Sequence, residues 1–244
     1  MAGQVAVGGF TASGNGLGFV NRFPNEPVVG VDAPPFGKID IGDASNGLCG
    51  GMVFAVRDIF QTDGMAPLNG SATPDPSSTL FNYIVGRLID SFDLPHAGFM
   101  KYYEWMITPD GDTGWPPFFT RHGLAWKTID DEWPNRIKPE LDAGRLVCLG
   151  LVTSRSANPA DLGQNHQVLG YGYELDADRL TLLVYDPNTS KASADSVSIS
   201  FSLANPSQPT TFSHNVGIGE AIRGIFRVGY TYHDPTRLAP AASG

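Results

Sequence analysis

The stretch "HQVLGYGYELDADRLTLLVYDPN", residues 166–188, decides the fold class, because within it the spacing of apolar side chains has the period of strands rather than helices. Residues 166–174 and 179–185 are joined by the short "LDAD" and read as an antiparallel hairpin. The flanking "RLVCLGLV", "SVSISFS" and "GIFRVGYTY" are equally short and β-branched or aromatic, so residues 144–234 are expected to form an antiparallel β lobe, a sheet or half-barrel.

Upstream the pattern changes. From Cys49, apolar residues fall at 49, 52, 53, 56, 59 and 60, the spacing of a buried helix. Further helices are expected over 78–92 and within 130–144, the latter stopped by Gly144 but with its limits blurred by Pro134 and Pro139. Residues 93–123 are aromatic and read as a long loop without regular structure, with Trp115, Phe118 and Phe119 taken as packing residues. The chain thus reads as α+β. An irregular segment (1–42) wraps the fold, a helical lobe (43–143) carries the central helix that starts at Cys49, and the β lobe (144–234) precedes a flexible tail (235–244).

Composition narrows the function. Across 244 residues Asp and Glu outnumber Lys and Arg by 25 to 16, and no basic run occurs, which argues against nucleic acid as a partner. The longest apolar run, "LVCLGLV", is too short to cross a bilayer, and the N-terminus does not read as a signal peptide. Two cysteines, one of them in the middle of that run, are expected as free thiols of a reducing compartment.

Cys49 sits at the expected start of a helix, where unpaired N–H groups and the helix dipole favour a thiolate. Gly50 and Gly51 cost about 1 kcal/mol each relative to alanine inside a helix unless something approaches the backbone there, and a substrate is one such group. His166 opens a strand whose face is small beside it. Centring the hairpin turn on Asp176 and Ala177 sets His166 against Pro187, and a slip of one residue sets it against Asp186 or Asn188. A helix-start Cys, a strand-start His and an Asp or Asn on the partner strand have the order of nucleophile, base and orienter. No serine elbow, phosphate loop, HExxH or zinc-spaced cysteine pair competes with them, and the reading needs no cofactor or metal.

On "GLCGGM", "NHQVLGYGYE" and "LLVYDPN", residues 43–232 resemble the papain-like cysteine peptidases, especially the bacterial branch that cleaves after double-glycine leaders. The resemblance implies a papain-like fold and a catalytic triad: Cys49 attacks an amide or ester carbonyl, His166 moves the proton and Asp186 fixes the ring. A peptide or protein would be the substrate. Such enzymes carry a glutamine six residues before the cysteine as oxyanion donor; here Asp43 stands there, and Asn46 is either the replacement donor or a helix cap. Amidase, deamidase or acyl-transfer chemistry would use the same triad. A binding module with a degenerate oxyanion hole is the alternative outside enzymes.

Overall fold

The computed structural model of the chain describes residues 3–23, 29–32, 38–41, 48–92, 98–115 and 119–239. Its N-terminal helical region packs against a C-terminal curled antiparallel sheet, an α+β arrangement. In chain order the first half holds β1 (Gly3–Ala6), α1 (Ala12–Asn15), the hairpin β2 (Val29–Asp32) and β3 (Lys38–Ile41), α2 (Cys49–Gln61), α3 (Thr79–Ser91) and α4 (Gly98–Ile107). The small hairpin β4 (Thr113–Trp115) and β5 (Phe119–Arg121) follows, then α5 (Leu124–Trp126), which runs through the π-helical stretch Lys127–Ile137 into α6 (Lys138–Asp142). Strands β6 (Val147–Val152), β7 (His166–Asp176), β8 (Arg179–Tyr185), β9 (Ser198–Ser202), β10 (Ser213–His214) and β11 (Gly224–Arg227) complete it.

Helix α2 begins at Cys49 and is buried on every side from Cys49 to Ile59, as a helix at the centre of a core must be. Its glycines have a packing cause. A Cβ on Gly51 would sit 2.1 Å from the Ile84 carbonyl oxygen of α3, and one on Gly50 would sit 2.4 Å from Ser91 Oγ and 2.8 Å from Gln167 Nε2. What approaches the backbone at these glycines is the protein's own interior, which corrects the expectation of a substrate there. Helix α3 is capped by Ser78, whose hydroxyl accepts the Phe81 N–H.

The stretch read as an aromatic loop contains α4, with Phe99, Tyr102, Trp105 and Met106 on its buried face. Aromatic residues have weak helix propensity, and burial overrides it here. Beyond α4, Trp115 and Phe119 face each other across β4 and β5 and are 71% and 64% exposed, where the sequence suggested buried packing; Phe118 lies outside the described residues. The third helix changes register because Pro134 has no N–H for the Asp130 carbonyl. Asn135 Nδ2 occupies that carbonyl instead, and the Lys138 N–H reaches back five residues to Trp133. Gly144, at φ +71°, ends the helix, with the Arg145 N–H closing onto the Glu140 carbonyl.

The main sheet runs β10-β9-β8-β7-β6-β11, and β1 pairs with the far half of β7. Strand β6 is buried along its whole length, as are the first eight residues of β7, so both faces of the sheet are covered there. Asp176 pairs with Arg179, which places the hairpin turn at Ala177 and Asp178, one residue later than the sequence suggested. A bulge between Gly170 and Gly172 then shifts the register, and the ladder closes with Leu169 opposite Tyr185. Among the described residues no helix is long and apolar enough to cross a membrane.

Candidate active site

Two element starts and one strand end converge. Cys49 is the first residue of α2, His166 the first of β7, and Asp186 the residue immediately after β8. Extending the Leu169–Tyr185 register puts Asp186 opposite Val168, with His166 as its diagonal neighbour on the same face. His166 Nε2 lies 2.7 Å from Asp186 Oδ1. The expected partner Pro187 is therefore displaced, and the acid reaches the ring diagonally rather than directly across.

Asp186 is fully buried and saturated with donors. Besides the ring nitrogen, Oδ1 accepts the Asn188 N–H at 3.0 Å, while Oδ2 accepts the Gly217 N–H and the Thr189 hydroxyl, both at 2.7 Å. Burial alone would raise its pKa; the His166 hydrogen bond and charge, with the Gly217 and Asn188 amides, outweigh it and hold the carboxyl below its usual range. An ionised Asp186 fixes the proton on Nε2 and leaves Nδ1 as the ring nitrogen for Cys49.

Cys49 and His166 shift in opposite directions. Burial would raise the thiol, but the His166 charge and hydrogen bond, and N–H groups of Gln167 and Gly50, bring it below an ordinary thiol. Burial would likewise lower the imidazole, yet the Cys49 charge and the hydrogen bond with Asp186 raise it. Both shifts act in the direction of a thiolate beside an imidazolium. Cys148 has no such neighbour. It lies in β6, with Arg57 Nη1 at 3.8 Å from its sulfur, and burial pushes it up to about 11. Both cysteines are free.

Behind the thiol, Gln167 Nε2 donates to Ser91 Oγ at 3.2 Å, and the Tyr102 hydroxyl comes within 2.6 Å of where a Cβ on Gly150 would be. Gly150 is the cross-strand partner of Gln167. Neither Gln167 Oε1 nor the Tyr102 hydroxyl meets a partner in hydrogen-bond geometry, though both are buried.

Asp43 and Asn46, the oxyanion candidates, lie outside the described residues. Asn188 does not hold the imidazole; its N–H buttresses Asp186, and its side chain joins Gly217 to Asn21. Other histidines stand elsewhere: His122 stacks on Trp126 beside Asp112, and His233 lies by Asp90. Sequence reasoning missed Thr189, Gly217, Gln167, Tyr102 and Asn21. Of these, Thr189 alone had a local signal, an Asp–Pro–Asn–Thr turn in which its hydroxyl returns to the aspartate.

The chain matches no protein-family model, no curated protein and no solved structure.

Proposed function

We propose that the protein is a papain-like thiol hydrolase that cleaves a peptide or isopeptide bond through an acyl-enzyme on Cys49. The observation that carries the reading is an imidazole clamped at 2.7 Å by a buried, four-donor carboxylate while it lowers the pKa of a helix-start thiol. The Cys49 sulfur attacks the carbonyl carbon, and the carbonyl electron pair moves to oxygen. As the tetrahedral intermediate collapses, the C–N bond breaks and the His166 imidazolium gives its Nδ1 proton to the departing amine. Neutral His166 then takes a proton from water, whose oxygen attacks the thioester carbon; the C–S bond breaks, the carboxylic acid leaves, and the thiolate and imidazolium are restored. Asp186 stays ionised throughout and stabilises the imidazolium.

A peptide library with mass-spectrometric readout tests the reading. Cleavage that vanishes in Cys49→Ala, together with a mass increment on Cys49 trapped by acid quench, is expected. A wild-type chain that cleaves nothing, and whose Cys49 is no more nucleophilic than Cys148, would instead favour a non-catalytic binding module.

A further inference from the structure

Asn21 lies far from the triad in sequence, yet its side chain joins the two halves of the site. Its Oδ1 accepts the Leu48 N–H at 3.0 Å, and its Nδ2 donates to Asn188 Oδ1 at 3.0 Å. Its own N–H donates to the Pro187 carbonyl at 2.8 Å. Leu48 precedes the nucleophile and caps α2. Asn188 gives its N–H to Asp186 Oδ1 and its Nδ2 to the Gly217 carbonyl, and the Gly217 N–H returns to Asp186 Oδ2. The path is tightly built at its far end, where a Cβ on Gly217 would lie 2.9 Å from Asn188 Cβ and 3.2 Å from Asp186 Oδ2. One amide thus links the residue before Cys49 to the loop that holds Asp186. The link needs an acceptor at one end and a donor at the other, which a carboxylate or an ammonium cannot supply.

The segment carrying Asn21 is seated as a strap across the fold. Leu17, Phe19 and Phe23 are buried, a Cβ on Gly16 would meet the Tyr185 ring at 2.6 Å, and the Gly18 N–H donates to the Leu68 carbonyl at 3.2 Å. We infer that Asn21 is a positioning residue that fixes the start of α2, and with it Cys49, against the Asp186 loop through this one amide. This rests on the thiol-hydrolase reading.

The test is the pH dependence of Cys49 alkylation by iodoacetamide in wild type, Asn21→Ala, Asn188→Ala, the double variant and Ser13→Ala. Ser13 anchors the strap to Asp195 through its N–H and its hydroxyl, away from the site; Ser13→Ala removes the hydroxyl bond and serves as the control for general loosening. Asn21→Ala is expected to raise the alkylation midpoint by about one pH unit, about tenfold less thiolate below both midpoints. The double variant should shift it no further than either single change, since both cut one path, and Ser13→Ala should leave it in place. Should Asn21→Ala not fold, Asn21→Asp keeps the acceptor for the Leu48 N–H but sets acceptor against acceptor at Asn188, and the same upward shift is expected. A low wild-type midpoint that no Asn21 variant moves, or one that Ser13→Ala moves equally, overturns the inference and leaves the hydrolase reading standing. An ordinary midpoint in the wild type overturns both.

Discussion

The two ends of helix α2 each bury a carboxylate, and they differ in what that carboxylate holds. At the C-terminal end Asp58 receives Arg87 Nε and Nη2, the Tyr83 and Tyr230 hydroxyls and the His233 N–H. Arg87 spends its remaining bonds on Asp90 and the Thr231 carbonyl. Every oxygen and nitrogen of that pair has a partner from the chain itself, so the cluster ties residues 230–233 to α2 and α3 and has nothing left to offer a substrate. At the N-terminal end Asp186 is equally saturated, but the pair it supports is not at rest: the pKa values of a thiol and an imidazole are moved in opposite directions. A buried polar cluster closed on itself is a lock; one that holds a reactive pair poised is a candidate for chemistry.

Substitutions can break this contrast, and the largest effect falls on turnover. Cys49→Ala is expected to lower the rate by about 10^4-fold or more, measured on whatever peptide the library yields, with an unfolding midpoint close to wild type. Arg87→Met acts on the other end: leaving Asp58 buried without its cation should cost about 3–5 kcal/mol in denaturant unfolding, while the Cys49 alkylation midpoint stays put. Smaller still is the pair Tyr230→Phe and Tyr102→Phe. Losing the Tyr230 hydroxyl strips a 2.6 Å donor from Asp58 and should cost about 1–3 kcal/mol. Losing the unpaired Tyr102 hydroxyl should change stability by less than about 1 kcal/mol.

The acid side of the stability curve distinguishes the site by its sign. The pKa of Asp186 is lower folded than unfolded, so its contribution is complete above the unfolded value of about 4 and fades as pH falls through the folded one. The stability advantage of wild type over Asp186→Asn should therefore shrink on acidification. An advantage that grew instead would mean that the carboxyl is buried neutral.

Much of this was legible locally. The helix start at Cys49, the strand start at His166 and the acid after β8 follow from side-chain period and turn chemistry, all within short windows. The hairpin register was not, because a turn one residue late at Ala177 and the bulge beside Tyr171 both change which residue meets His166. Helix α4 was hidden by aromatic residues whose burial is decided by the sheet behind them. The roles of Gly50 and Gly51 depend on how close α3 comes, and Asn21 reaches partners 27 and 167 residues away. No periodicity encodes such contacts; they exist only once the strap and the sheet have been assembled.

The central claim, that His166 makes Cys49 a thiolate, is tested most directly by titrating the ultraviolet absorbance of the thiolate in Cys148→Ser protein, with and without His166→Ala. The account predicts ionisation clearly below the ordinary thiol value of about 8.5 with His166 present, and a midpoint at or above that value without it. Coincident curves at an ordinary thiol midpoint would contradict it.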